Sequence, residues 1–208
     1  MEATIDPTKM EEARLAVSRH AAELFWKHGL DGTSGDAIAE AAGISKRTVW
    51  RYFRSKEACV EPLLLATSLR FVSYMRDWPR DLSIEDYLHA SMGSLLADEQ
   101  AMRDGVSAVR IVAMMAKEPA LRSSWLMACN QAESQLIPVV AARADRWPED
   151  FEVRLCAAAI MAGIRVVDEE ISSAAVNEGR RYEQAEATGR LAAAIRSAST
   201  LPICDPVA

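Results

Sequence analysis

The chain has 208 residues, of which 50% are hydrophobic and 26% are charged. This balance is typical of a folded protein and excludes an intrinsically disordered chain. The formal net charge of −6 argues against a protein that coats nucleic acid without discrimination, because such binding scales with positive charge.

The cysteine and histidine patterns exclude the common metal sites and disulfide frameworks. Four cysteines, Cys59, Cys129, Cys156 and Cys204, lie far apart without a C-x-x-C pair, which predicts reduced thiols. The three histidines show no spacing with carboxylates that is typical of a metal site. We therefore predict no metal and no cofactor.

The start of the chain is polar and acidic, unlike a signal peptide. No uncharged apolar run approaches the roughly 20 residues that a membrane span requires. The sequence therefore predicts a cytoplasmic protein that does not bind membranes.

Two helices are predicted at the beginning of the chain. Apolar or small residues recur at intervals of three and four over residues 11–28, and Gly29 follows as a C-cap. Thr33, three residues before Asp36, has the spacing of an N-cap, and it predicts a short second helix that ends at Ala42.

Two more helices follow closely. Gly43 allows a sharp turn, and Ser45 is the predicted cap of a third helix that ends at about Phe53. Ser55 is the predicted cap of a fourth helix, which begins at Lys56 and runs on into the rest of the chain.

The remaining sequence is rich in strong helix formers and contains no alternating segments typical of strands. The predicted breaks are Trp78-Pro79, Glu118-Pro119 and Trp147-Pro148, with a restart at Ser83. Pro62 and Pro138 lie inside predicted helices and should kink or interrupt them. We expect an all-α chain of eight to ten helices, with roughly the first nine and last eight residues untethered.

The third predicted helix has two different faces. Its surrounding segment, residues 43–58, contains five basic residues and no acid before Glu57. At 100° per residue, Val49 and Phe53 fall on one side of the helix. The other side carries Arg47, Trp50, Arg51 and Arg54. The first face is expected to anchor the helix and the second to be exposed.

A helix, a glycine turn and a second helix with an outward basic face predict a helix-turn-helix that reads the major groove of DNA. Arg47 and Arg51 are the predicted contacts to base edges. The predicted contacts that position the protein on the phosphates are Thr33, Ser45, Lys46, Thr48, Trp50, Tyr52 and Lys56.

The segment "RLAVSRHAAELFWKHGLDGTSGDAIAEAAGISKRTVWRYFRSKEACV" resembles the DNA-binding region of the TetR family of bacterial transcriptional regulators. The matching motifs are "AAELF", "AGIS", "YF" and "SKE". Trp50 stands where the family usually has tyrosine, and Arg47 where a small residue is frequent. These departures could alter operator preference without removing the function.

The resemblance implies a helix-turn-helix DNA-binding domain over residues 10–56 and a larger helical effector-binding and dimerisation domain over residues 57–200. It also implies that the last two helices of two subunits form a four-helix bundle. The expected partners are a double-stranded DNA operator, a second copy of the chain and a small-molecule effector of unknown identity.

The two late helical segments contain small residues that permit close helix approach. The candidate dimer contacts are Ala158, Ala162, Gly163 and Ile195. The same residues could instead pack inside one subunit, and the sequence leaves this alternative open.

The effector pocket gives only a weak signal, because its candidates suit an ordinary core equally well. The candidate pocket residues are Arg110, Met114, Trp125, Cys129, Met161 and Arg165. Glu169 lies in an otherwise apolar helix, as Arg110 and Arg165 do, and could serve a pocket, an interface or the surface.

The predicted function is a ligand-responsive transcriptional regulator, a repressor that binds a palindromic operator as a dimer and is released by an effector. A switch of this kind would act through the fourth helix, with Pro62 as the point of bending. Two alternatives are a helical adaptor that binds protein through the basic face and an all-α enzyme. No G-x-S-x-G, P-loop or H-E-x-x-H pattern supports the enzyme.

Overall fold

The computed structural model of the chain describes residues 7–95 and 98–207, and within them it has helices and no strand. The helices are α1 (Pro7–His28), α2 (Gly35–Ala41), α3 (Lys46–Tyr52), α4 (Glu61–Arg76), α5 (Ile84–Leu95), α6 (Glu99–Met114), α7 (Leu121–Ala144), α8 (Phe151–Asn177) and α9 (Gln184–Ala198), with a 3-10 turn at Glu57–Val60 before α4. The all-α fold class is confirmed. None of the described helices is long and apolar enough to cross a membrane.

Two of the predicted helix starts are confirmed by their capping bonds. The hydroxyl of Ser45 accepts a hydrogen bond from the backbone amide of Thr48 at 3.1 Å. The hydroxyl of Ser83 accepts one from the backbone amide of Asp86, also at 3.1 Å. Each bond satisfies an amide that the first helical turn leaves without a carbonyl partner.

The predicted cap of the second helix is wrong. Ser34, not Thr33, accepts the bond from the amide of Ala37, at 3.1 Å. The hydroxyl of Thr33 instead donates to the carbonyl oxygen of Gly29 at 2.9 Å, so it ties the loop to the end of α1. Thr33 is consequently buried.

Of the two prolines that were expected to disturb helices, Pro138 does not interrupt its helix, whereas the helix predicted from Lys56 divides just before Pro62 into a 3-10 turn and α4. Pro62 lies in the first turn of α4, where an amide has no helical partner to lose. The predicted fourth helix therefore begins as a separate 3-10 turn, and Pro62 is not an interior bending point. Pro138 lies inside α7, which continues through it to Ala144.

One hydrophobic core joins the first three helices to the rest of the described chain. It contains Phe25, Ile38 and Val49 from the first three helices, and it continues to Leu64 of α4 and Leu136 of α7. Helix α4 packs on α1, α6 and α7, while α8 packs on α6, α7 and α9. The boundary between residues 56 and 57 remains a prediction, since the core is continuous across it.

The last eight residues are docked up to residue 207, which corrects the expectation that they are untethered. The buried guanidinium of Arg143 donates to the carbonyl oxygens of Ile203 at 2.8 Å and Asp205 at 3.0 Å. It also donates to the carbonyl oxygen of Pro79 at 2.8 Å and stacks on the ring of Trp78. A planar group with five donors can hold several backbone carbonyls at once, so one side chain fastens the tail to the α4–α5 loop.

Candidate functional site

Helices α2 and α3 form the helix-turn-helix that the sequence predicts. Ile38 and Ala39 of α2 are buried, and Gly43 takes a positive φ of 65° between the two helices. The amide of Ile44 donates back to the carbonyl of Ala39 at 3.0 Å, which closes the turn. Because a side chain is strained at positive φ, the glycine allows this tight connection.

The two faces of α3 are as predicted. Val49 and Phe53 are buried, whereas Arg47, Trp50 and Arg51 are exposed. The exposed indole of Trp50 lies against the start of α2, where a Cβ on Gly35 would come within 2.3 Å of the ring. Trp50 therefore presents a rigid aromatic surface beside the two arginines.

The charged groups on this surface differ in whether they have a partner within the chain. Arg47 has no ion pair or hydrogen bond with a described residue, and Arg51 lies over the ring of Tyr52 at 5.3 Å. Lys46 pairs with Asp36 at 2.8 Å. Arg47 and Arg51 are thus the guanidinium groups of α3 that are free of a carboxylate partner.

Lys56 and Thr33 hold the helix-turn-helix together from within. The ammonium of Lys56 donates to the carbonyl oxygen of Leu30 at 2.5 Å, so at least one of its three donors is used inside the chain. Thr33 is buried with its hydroxyl bonded to Gly29, which argues against its predicted contact to a phosphate. Ser45 and Thr48 share a 2.9 Å hydroxyl bond and remain at the surface edge of α3.

A cavity of about 220 Å³ lies between α4, α6, α7, α8 and α9. Of the predicted pocket residues, four line it: Trp125, Cys129, Met161 and Arg165. Arg110 does not, because it stacks on Trp26 and pairs with Glu23 at 3.8 Å against α1. Met114 packs against the core outside the cavity.

Asp168 in the wall of this cavity and its neighbour Glu169 have different environments. Glu169 accepts from the indole of Trp125 at 3.1 Å and from Arg165 at 2.9 Å, and it also pairs with Arg122. Asp168 lines the cavity without a hydrogen bond or ion pair to any described residue. Burial, with a smaller contribution from the charge of Glu169, raises the pKa of Asp168 to about 7.

A buried ion pair connects the helix before the helix-turn-helix to the cavity wall. Arg19 of α1 donates twice to Asp104 of α6, at 2.8 and 2.9 Å. Asp104 is 1% exposed and also accepts from Gln100 at 2.8 Å. Although burial opposes it, the hydrogen bond from Arg19 and the other partners hold the pKa of Asp104 below its ordinary value.

The predicted dimer residues divide into two groups. Ile195 is buried in the core, and Gly163 faces α9 of the same chain, where a Cβ would lie 3.2 Å from the carbonyl oxygen of Ala194. Both make contacts within one subunit, the alternative that the sequence left open, and their role at an interface stays a prediction. Ala158 and Ala162 are accessible at least in part.

The sequence analysis missed an apolar stripe on the outer face of α8. Phe151, Leu155 and Val166 are 71%, 46% and 54% exposed, and Ala162 lies on the same face. Trp147, just before the helix, is 76% exposed. Leu155 lies four positions after Phe151, seven before Ala162 and eleven before Val166, and these spacings place all four residues on one face of a helix. The sequence analysis considered only the small residues of this helix and so missed the stripe.

Within the described residues, no group of three or more histidine, cysteine or acidic side chains could hold a metal ion.

Two family models match this chain. The model described as "Bacterial regulatory proteins, tetR family" matches residues 19–63, which contain the helix-turn-helix. The model described as "MftR C-terminal domain" matches residues 82–195, which contain most of the cavity wall and α8.

The chain also resembles individual proteins. It is 31% identical over 170 residues to the HTH-type transcriptional regulator TcmR of Streptomyces glaucescens, covering 78% of this chain and 74% of that one. In fold it is similar to a putative TetR-family regulator from Rhodococcus sp., with a TM-score of 0.57, 19% identity and coverage of 91% and 99% of the two chains. A TetR-family regulator from Streptomyces coelicolor gives a TM-score of 0.56 at 19% identity, with coverage of 93% and 82%.

These matches describe transcriptional regulators, which are not enzymes, and they favour that function over the adaptor and the enzyme. The chain belongs to the TetR family of bacterial transcriptional regulators.

Proposed function

We propose that this regulator binds a two-fold DNA operator as a homodimer, represses transcription there, and is released when a small molecule occupies the cavity. The observation that carries the proposal is the exposed basic face of α3 on a helix whose opposite face is buried in the core. A helix held in this way can enter the major groove without rearranging the fold.

The contacts to DNA divide by chemistry. Arg47 and Arg51 would read base edges, because a guanidinium donates two bonds to guanine. The side chains that would contact phosphates and fix the register are Ser45, Lys46, Thr48, Trp50, Tyr52 and Lys56. Thr33 is left out, since it is buried.

The dimer would form through the apolar stripe of α8. Phe151, Leu155, Ala162 and Val166 are accessible along one face, and an apolar stripe of this length on a single subunit is typical of a surface that a partner covers. A two-fold dimer also suits the short α3, which can read only a few base pairs alone.

The switch would act through α6. Gly105 and Ala108 line the cavity, and the neighbouring Asp104 holds Arg19 of α1. A ligand that displaces α6 would move α1 and the helix-turn-helix behind it, provided that its affinity differs between the two arrangements. By linkage, operator DNA must weaken ligand binding by the same factor.

The test is to select duplexes that bind the protein from a random-sequence library and to sediment the complexes. We expect an inverted repeat in the selected duplexes and an even number of protein copies on each. Affinity should fall log-linearly with salt concentration, because counterions are released from phosphates. Selection of no duplex, or one copy bound tightly to an asymmetric site, would overturn the proposal.

A further inference from the structure

We propose that the cavity binds a lipophilic cation, an apolar body that carries a protonated amine, and that the carboxylate of Asp168 binds the amine. This inference rests on the proposed function, in which the cavity is the effector site. It adds the chemical class of the ligand and assigns a residue to its recognition.

The apolar body follows from the walls and the size of the cavity. Apolar side chains reach it from all five surrounding helices: Phe71 from α4, Val112 from α6, Trp125 from α7, Met161 from α8 and Leu191 from α9. The volume is about 220 Å³. Since an apolar cavity of about 150 Å³ accepts benzene, one aromatic ring with a short alkyl chain is a suitable size.

The cation follows from the contrast between two neighbouring carboxyl groups of α8, those of Glu169 and Asp168. Glu169 is already paired with Arg165 and Arg122 and bonded by Trp125. Asp168, which lines the cavity, is partly buried and has no partner among the described residues. A carboxylate that is partly withdrawn from water without a donor is costly, so a ligand that brings a charged donor gains the interaction that the protein does not supply.

The other hydroxyl groups at the cavity also favour a ligand rich in donors. Thr67 and Ser68 donate their protons to the carbonyl oxygen of Leu64, at 2.8 and 3.1 Å, and are left as acceptors. Ser172, one turn after Asp168, is buried and has no hydrogen bond with a described residue. An ammonium group has three donors, which matches the acceptors that Asp168, Thr67 and Ser68 offer, while the guanidinium of Arg165 in the same wall donates to Glu169.

The ionisation of Asp168 is consistent with this assignment. Burial raises its pKa to about 7. The ionisable groups that face it are Glu169 and Arg165 of its own helix and Cys129 of α7, whose pKa is raised to about 12. The lining residues of α4, α6 and α9 are not ionisable. A bound ammonium should therefore draw the proton off Asp168 near neutral pH, and its affinity should rise between about pH 6 and about pH 8.

The test compares three probes with one carbon skeleton, phenylbutylamine, phenylbutanol and phenylbutyrate, by isothermal titration calorimetry with the full-length protein. We expect the amine to bind at least about tenfold more tightly than the alcohol, and the acid to bind most weakly. Equal or tighter binding of the alcohol or the acid, or binding of none of the three, would overturn the assignment.

Asp168→Asn is the decisive variant, because it keeps the shape of the side chain and removes its charge. It should abolish the preference for the amine and retain the affinity for the alcohol. Asp31→Asn, the same change at an exposed carboxyl outside the cavity, should leave the preference intact. The pH dependence of amine binding gives a second measurement on the unmodified protein, and its absence would count against Asp168.

Binding of the protein to its selected operator is measured alongside. If operator binding persists while the amine shows no preference, the ligand class is wrong and the proposed function stands. If no operator can be selected, the proposed function itself is wrong, whichever probe binds.

Discussion

Arg47 is the residue at which the reading of bases can be tested most directly. It is exposed and has no partner among the described residues, whereas its neighbour Lys46 is paired with Asp36. Arg47→Ala should cost about 1–3 kcal/mol on the selected operator and relax the base preference at one position. Lys46→Ala should weaken binding to all duplexes alike, as expected for a phosphate contact.

Binding of both variants to operator and to random duplex, measured by fluorescence anisotropy, separates the two roles. Equal losses of Arg47→Ala on both duplexes would place this residue among the phosphate contacts.

Asp168 is predicted to make the stability of the protein depend on pH. Its pKa of about 7 lies above the ordinary value for aspartate, so the folded chain keeps a proton that the unfolded chain releases. Folding stability is therefore lost as the pH rises toward 7, and the cost is complete above it. Asp168→Asn should stabilise the protein by about 2 kcal/mol at pH 8 and by much less at pH 5.

Urea denaturation at the two pH values measures this difference, with Asp31→Asn as the control. The same stabilisation at both pH values would show that the carboxyl is ordinary in the folded protein.

Among the helices, α8 is the one through which the dimer is predicted to form. Leu155→Glu would place a charge in an apolar stripe, and if a second subunit covers this stripe, the dimer should weaken at least about tenfold. Met102→Glu on α6 is the matched control, because Met102 and Leu155 are exposed to similar extents, 49% and 46%. Sedimentation velocity over a concentration series measures both, and a Leu155→Glu dimer as tight as the wild type would exclude this face.

How far the elements could be predicted depends on whether their signals are local. The cap at Ser45 and the glycine turn at Gly43 depend on neighbouring residues only, and they were predicted correctly. Thr33 and Ser34 are adjacent hydroxyls, and the spacing to Asp36 favoured the wrong one.

The remaining differences between the expected and the observed surroundings of residues concern contacts between distant parts of the chain. Gly163 lies against α9 of its own chain, and Arg110 against α1, which spacing along one helix cannot reveal. Asp168 was missed because its importance lies in having no partner, and the sequence around it shows only a run of acids. Trp125 and Cys129 do line the cavity, but the sequence named them as members of a set that suited any core, and their contact with a ligand stays a prediction.

For the whole molecule, the Arg19–Asp104 pair joins the DNA-reading part to the cavity wall. Asp104→Asn leaves Arg19 without its charged partner and should destabilise the protein by about 2 kcal/mol at pH 7, a value reduced because Arg19 is partly exposed. The loss should shrink as the pH falls through the lowered pKa of Asp104, where the wild type is protonated as well.

Glu99→Gln breaks an exposed pair with Arg103 on the same helix and is the control, with an expected loss below about 1 kcal/mol. Denaturant titrations measure the free energy of unfolding of both variants. Equal losses would show that the Arg19–Asp104 pair stabilises the protein no more than an exposed pair does.

The bonds of Arg143 to the tail have a consequence for the order in which the chain folds. They join residues that are 60 and 62 positions apart in the sequence, and the same side chain reaches 64 positions back to Pro79. Contacts of such long range close late, because the intervening chain must first lose its freedom. On the ribosome, α7 emerges well before residues 203–205, so until they follow, Arg143 can bind only its earlier partners, the carbonyl oxygens of Pro79 and Leu82. A nascent chain halted before residue 203 would therefore hold the α4–α5 loop to α7 without the bonds that dock the tail.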